Sequence, residues 1–288
     1  MGAILQDLFS ENGIRLKSDE NLEKDLCSIV ILTHNQVEYT KLCVESIETF
    51  VNASHELIFV DNASTDGTIE YLTSIVETKK YYSLIKNSEN RGYAAGNNIG
   101  INAAKGEFVL IMNNDILVTK GAVESLIRAL RADKQTALIG PKTNFVNSRA
   151  QLDLEAEYGS IDELIKYAEL NSARNKGKTS QATLLVGFMF LGRTKLLKEA
   201  GGFDESFGIG NYEDNDLCRK LTENGYDLRI SEDSYVHHFG HVSFNASDVD
   251  YNELIEKNKK IYEDKWKDAV KDRSNKAENN WNSEETVV

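Results

Sequence analysis

Asn90–Asp115 reads NRGYAAGNNIGINAAKGEFVLIMNND. In its first half Gly92, Gly96 and Gly100 recur four residues apart, the repeat of one helix face, and glycines there let a helix lie close on a sheet. Its second half contains Glu107–Met112 (EFVLIM), a continuous apolar run of strand length that marks a strand buried on both faces. That strand stops on Asn113, Asn114 and Asp115. A helix followed by a buried strand that ends in amides and a carboxylate is one repeat of a parallel α/β sheet, where ligands collect beyond the strand C-termini.

The same pattern extends outward. Ser28–Thr33 (SIVILT), His55–Asp61 (HELIFVD), Tyr82–Lys86 (YSLIK) and Thr136–Gly140 (TALIG) read as further strands. Tyr39, Leu42, Cys43, Ile47 and Phe50 fall near helical spacing, as do Val123, Leu126, Ile127 and Leu130. The fold class expected is therefore α/β, a Rossmann-like, mostly parallel sheet flanked by helices. Thr33-His34-Asn35, Asp61-Asn62-Ala63-Ser64 and Asn113-Asn114-Asp115 all follow strands, so they converge on one rim.

The second half is less regular. Asn147–Thr183 is polar and helix-leaning, and Ser172–Ser180 (SARNKGKTS) reads as a flexible loop or lid. Thr183–Leu191 (TLLVGFMFL) reads as one apolar strand, Gly201-Gly202 as a turn, and Tyr212–Leu217 (YEDNDL) as the start of a helix. Asp227–Ile230 and Ser234–His238 read as two short strands, and Asp248–Asp268 as a charged helix. No segment reads as a leader or a membrane span, so a cytoplasmic location is expected, with peripheral membrane association left open.

A net charge of −13 argues against a sequence-independent grip on nucleic acid. An acidic protein that binds a nucleotide diphosphate needs a local positive centre: Lys or Arg, a helix N-terminus or a divalent cation. Cys27, Cys43 and Cys218 show no CxxC spacing and read as reduced core residues.

SIVILTHNQ, VDNASTDGT, the Asn90–Asp115 stretch, GGFDESF, YEDNDLCRKL and VHHFG, in this order, resemble the family 2 inverting glycosyltransferases of the GT-A fold, especially bacterial rhamnosyl- and related surface-glycan transferases. The resemblance implies a catalytic domain over residues 26–245, with a nucleotide-binding half to about residue 140 and an acceptor half beyond it. Residues 1–25 form an extension, 246–272 a C-terminal helical region and 273–288 a disordered tail.

The implied reaction moves a sugar from a UDP-, dTDP- or GDP-linked donor to a hydroxyl of a glycan, lipid-linked sugar or protein. The resemblance assigns the pyrimidine imide to Asp61, with Thr33 and Asn35 lining the base pocket. Ser64 through Thr68 read equally as a turn in which Ser64 or Thr65 caps a helix beginning near Asp66. Arg91, Gly92 and Asn97 face the nucleotide in this scheme, while Gly96 and Gly100 serve helix packing.

Asn113-Asn114-Asp115 corresponds to the family's Asp-x-Asp metal motif with only the last carboxylate kept. Asn113 and Asn114 then serve the donor, and Asp115 binds Mn²⁺ or Mg²⁺ with His238 as second ligand; His237 and His241 are the alternatives within the cluster. The catalytic base maps to Asp214, with Glu213 next and Asp216 third; acids there also complement a helix dipole. Gly187 and Phe188 wall the acceptor side, with Phe188 reading equally as plain core, and Asp204 takes a mostly structural or an acceptor-facing role. A catalytically silent glycan-binding module on the same scaffold is the rival reading. A nucleotidyltransferase lacks its Gly-rich loop here, since Thr33-His34-Asn35-Gln36 follows the first strand.

Overall fold

A computed structural model describes residues 25–240 and 252–267. The strands are β1 (Cys27–Thr33), β2 (His55–Asn62), β3 (Tyr82–Asn87), β4 (Phe108–Asn113), β5 (Ile116–Val118), β6 (Thr136–Thr143), β7 (Thr179–Ala182), β8 (Met189–Arg193) and β9 (Asp227–His238). They form one sheet in the order β3-β2-β1-β4-β8-β6-β9-β5, with β7 also paired to β9. The first four strands in that order are wholly parallel, and antiparallel ladders enter with β5, β7 and β8.

The helices are α1 (Val37–Phe50), α2 (Thr68–Val76), α3 (Gly92–Ala103), α4 (Ala122–Ala132), α5 (Ile161–Asn175), α6 (Thr194–Glu199) and α7 (Glu213–Glu223), with a further helix over 252–267. Side chains alternate across β1. Cys27, Ile29 and Ile31 pack with Cys43, Val44 and Ile47 of α1, whereas Val30 packs with Ala94 and Ile101 of α3. A Cβ at Gly96 or Gly100 would drive into Leu32 or Val30, so the glycine repeat is what lets α3 lie against β1.

The strand order fixes where a ligand can enter. The chain runs from β1 outward through β2 and β3, then crosses back to place β4 on the other side of β1. A crevice therefore opens between the C-terminal ends of β1 and β4, at Thr33–Asn35 and Asn113–Asp115.

Four sequence expectations are corrected. Ser172–Ser180 is no lid: it is the end of α5, then β7 on the edge of β9, and Asn171 Nδ2 donates to Glu232 O at 2.9 Å. Thr183–Leu191 is not one strand, because β8 begins only at Met189 and the backbone of Gly187 is bonded to side chains instead. Asp227–His238 is one strand rather than two. Gly67, at φ 97°, precedes α2, and neither Ser64 nor Thr65 caps it.

Candidate active site

Asp115 and His238 meet because β5 and β9 are antiparallel neighbours. The register sets Ile116 opposite His238, and Phe239 N donates to Asp115 O at 3.1 Å. Both side chains are nearly buried, at 4% and 9% exposure. His238 Nδ1 donates to Phe145 O at 2.8 Å, which leaves the Nε2 lone pair pointing at Asp115 Oδ1, 3.4 Å away. That oxygen has no hydrogen-bond partner. Two ligand atoms about 2.1 Å from one ion in adjacent positions stand about 3 Å apart, so the pair fits a divalent cation.

Among the described residues no group of three or more His, Cys, Asp or Glu side chains is gathered closely enough to hold a metal. The remaining ligands would come from water or an anionic substrate. His237 points elsewhere: its Nδ1 bonds Tyr158 Oη at 2.7 Å, and burial, then the neighbouring His238, pushes its pKa down to about 4. His241 lies outside the described residues.

The turn at Gly187-Phe188 joins this pair to the acidic helix. Asp214 Oδ2 accepts the Gly187 N–H at 3.0 Å, and Tyr93 Oη donates to Gly187 O. Phe188 O accepts the Asn113 N–H at 2.9 Å, while the Phe188 ring stacks on His238 with centroids 5.1 Å apart and an interplanar angle of 15°. One dipeptide thus touches the acid-bearing helix start, the histidine and the Asn-Asn-Asp corner.

Glu213 is 5% exposed and its Oε2 has no partner. Burial, and then the charge of Asp214, raise its carboxyl well above the ordinary carboxylate range. Burial also raises Asp214, against the lowering effect of the Gly187 and Asn215 amides. A carboxylate with raised proton affinity that keeps some exposure, as Asp214 does, suits general-base work. The third acid, Asp216, is fully buried and bonded to Trp266 Nε1 at 2.8 Å and Lys265 Nζ at 2.9 Å, so it anchors the 252–267 helix.

On the strand-end rim, Asp61 is fully buried and accepts Thr33 Oγ1 at 2.9 Å, Ser64 N at 2.9 Å and Ser64 Oγ at 2.5 Å. Asn35 N donates to Ser64 Oγ at 2.7 Å and Thr65 N to Asn35 Oδ1 at 2.8 Å, stitching the loops after β1 and β2 together. The positive φ of Asn35 (59°), Gln36 (68°) and Ala63 (58°) falls in these same loops. Asn114 Nδ2 reaches Thr40 Oγ1 at 2.9 Å and braces the loop from β4's side. Arg91 is exposed at the N-terminus of α3, and Asn35 and Asn113 are partly open to solvent.

One placement corrects the sequence reading and two decide between alternatives it left open. Asn97 is fully buried with Nδ2 on Tyr93 O at 3.0 Å, so it turns inward rather than toward the rim. Phe188 is 2% exposed and is a platform for His238, with no face for an acceptor. Asp204 is claimed by Ser206 N at 2.9 Å and Lys265 Nζ at 2.5 Å; burial pushes its carboxyl up, but those donors outweigh it and hold it at about 2.

The sequence reading missed Asn144, whose Oδ1 accepts His238 N at 2.8 Å and whose Nδ2 donates to His238 O at 3.2 Å. It follows β6 directly, so the same inspection of polar residues after strands would have found it. It also missed Tyr93, for which an aromatic next to a glycine gave no signal.

Residues 28–201 match the family described as Glycosyl transferase family 2. Glycosyltransferase GlyG of Streptococcus pneumoniae serotype 4 is 28% identical over 124 residues, 43% of this chain and 41% of the relative. Chondroitin synthase of Escherichia coli is 26% identical over 259 residues, 78% of this chain and 37% of the relative. The chain spans 23% to 52% of the length of the first three curated relatives it matches.

Among solved structures, GalNAc-T7 with UDP, GalNAc and Mn²⁺ superposes with a TM-score of 0.60 at 15% identity, covering 75% of this chain and 43% of that one. Mannosyltransferase PcManGT from Pyrobaculum calidifontis, in complex with GDP-Man and Mn²⁺, gives 0.55 at 21% identity, covering 82% and 64%. These likenesses carry the GT-A fold. The family match ends before Asp214 and His238, so their grouping rests on the geometry above. With the match spanning well over half its residues, the chain belongs to glycosyl transferase family 2.

Proposed function

We propose that the protein transfers a hexosyl unit from a nucleotide diphosphate donor to an acceptor hydroxyl with inversion at the anomeric carbon. The observation that carries this reading is the Asp115–His238 pair: a buried carboxylate oxygen without a partner, 3.4 Å from an imidazole nitrogen whose ring is fixed from its other side. Structural neighbours crystallised with GDP-Man and Mn²⁺, with UDP, GalNAc and Mn²⁺, or with UDP-GlcNAc support a donor of this class.

In this reading Asn35, Arg91 and Asn113 contact the donor along the strand ends, while Asp61 and Thr33 shape that rim from beneath. Asp115 and His238 hold Mn²⁺ or Mg²⁺. When bound, the cation offsets the negative charge that grows on the leaving diphosphate. Asp214 takes the proton of the acceptor hydroxyl as its oxygen attacks the anomeric carbon from the face opposite the diphosphate. The bond to the diphosphate breaks in the same displacement, which inverts the centre. The acceptor is a glycan, a lipid-linked sugar or a protein hydroxyl.

Calorimetry of UDP, GDP and dTDP with and without Mn²⁺ tests this, on the wild type and on Asp115→Ala. One nucleotide should bind the wild type in a Mn²⁺-dependent way, and the dependence should vanish in the variant. Equal affinity with and without Mn²⁺ in the wild type refutes the metal-assisted reading.

A further inference from the structure

The acid-bearing helix start is held by a residue far outside the matched family region. Asn258, on the 252–267 helix, is 1% exposed. Its Nδ2 lies 2.7 Å from Phe207 O, 2.7 Å from Gly210 O and 3.1 Å from Asn211 O. A primary amide carries two N–H groups, so three backbone carbonyls share them.

Those carbonyls belong to a loop with an unusual path. Gly208 (φ 65°), Gly210 (155°), Asn211 (75°) and Tyr212 (74°) all lie at positive φ, and Glu213 begins α7 directly afterwards. Consecutive non-glycine residues in that region persist only where their surroundings over-determine them. Several of those surroundings are identifiable. Ile209 O accepts the Tyr93 N–H at 3.0 Å, and Tyr212 O accepts the Asp216 N–H at 2.9 Å. The Gly208 carbonyl sits so close to Gly92 that a Cβ there would overlap it. Gly208 N donates to Glu205 O at 3.1 Å and the Tyr212 ring packs on Tyr262, while Asn258 adds three carbonyl contacts from one side chain, and Lys265 and Trp266 of the same helix grip Asp216 one turn further on.

We propose that Asn258 is a positioning residue for catalysis: by holding Gly208–Tyr212 in its strained path it sets Asp214 against the Gly187 amide. This rests on Asp214 being the base. Without the amide the loop relaxes toward ordinary φ values, α7 starts at a different angle, and Asp214 loses its registration with Gly187. The strand-end rim, built by the loops after β1, β2 and β4, keeps its shape. The loss therefore falls on turnover and spares donor binding.

The test uses full-length Asn258→Ala and the isosteric Asn258→Asp, which turns acceptor oxygens toward the three carbonyls. Turnover should fall about 10- to 100-fold while the donor KM stays within about threefold. Hydrogen exchange should rise about tenfold or more at the amides of Tyr93 and Asp216, and stay unchanged at sheet amides such as Val30 and Leu110. Should neither variant fold, Trp266→Phe removes the N–H donor to Asp216 and part of the ring under Arg219, loosening the same helix, and should lower turnover about threefold with the same constant KM. Unchanged exchange at Tyr93 and Asp216, or faster exchange with wild-type turnover, overturns the proposal. A wild type inactive toward every nucleotide sugar removes the proposed reaction instead, and the exchange measurement still decides whether Asn258 fixes the loop.

Discussion

Asn144→Ala separates the metal reading of His238 from a merely structural one. The Asn144 side chain stands where a backbone strand would continue β6 beyond Thr143, accepting from His238 N at 2.8 Å and donating to His238 O at 3.2 Å. Alanine removes both bonds, each worth about 0.5–1.5 kcal/mol, and leaves a backbone N–H at a nearly buried residue without its partner. A stability loss of about 2 kcal/mol follows, which in a domain of this size lowers Tm by about 4–8 °C. The ring of His238 keeps its bond to Phe145 O and its contacts with the Phe188 and Phe145 rings, but the backbone that carries it is no longer fixed. Losing a ring partner outright typically costs about 10- to 100-fold in metal affinity, or about 1.4–2.7 kcal/mol, so a backbone shift that misaims the ring should cost Mn²⁺ affinity up to that amount.

The assay is calorimetric titration of Mn²⁺ into protein saturated with its nucleoside diphosphate, well below the variant's Tm. Asn98→Ala is the control. Asn98 accepts the Phe203 N–H at 2.9 Å and donates to Phe203 O at 2.9 Å and to Glu205 Oε1 at 3.0 Å on the other face of the sheet, so its variant should lose at least as much stability and no Mn²⁺ affinity. A fall in Tm with Mn²⁺ affinity unchanged in both variants would refute the reasoning and make His238 part of the fold alone.

How far the sequence revealed this arrangement varied with the kind of residue. The parallel half was plain because β1, β2 and β4 are buried on both faces and read as unbroken apolar runs. β9 was misread because its middle is polar: Ser231 and Asp233 are buried, and Asp233 is satisfied by Arg128, by Gly177 N at 2.6 Å and by Ser231 Oγ at 2.7 Å. The stretch around α5 read as helix-leaning without bounds, and its last turn as part of a loop, because Leu164 and Ala168 are its only buried residues. The fracture at Gly187 was hidden because its backbone is bonded to Asp214 and Tyr93, which lie far away in sequence. Asp115 and His238 stood out as polar residues at strand ends within recognised motifs. Asn144 and Asn258 did not, since an amide that holds distant backbone has no local signature.

Asp214→Asn should lower turnover by about 10²–10⁴-fold with donor affinity nearly intact, measured by steady-state kinetics and calorimetry; wild-type turnover removes Asp214 from the base role. Gly92→Ala should destabilise more than Gly67→Ala in thermal melts. Both glycines have positive φ, 81° and 97°, at a cost of about 1–2 kcal/mol each, but only at Gly92 does the new Cβ meet backbone, that of Gly208, adding about 1–3 kcal/mol. Equal losses at the two sites would show that the Gly208–Tyr212 loop yields. The pH dependence of stability tests the burial of Glu213. Burial and the Asp214 charge raise its folded-state pKa well above 4.5, so the folded protein keeps a proton that the unfolded chain has already released. Its contribution is complete below the unfolded value and is lost as pH rises through the folded one. Glu213→Gln cannot ionise, so the variant's Tm relative to wild type should climb as pH rises above the unfolded-state value of 4.5. A difference that stays flat as pH rises means Glu213 ionises in the folded protein as in the unfolded chain, and Glu213 is then far better hydrated than its 5% exposure implies.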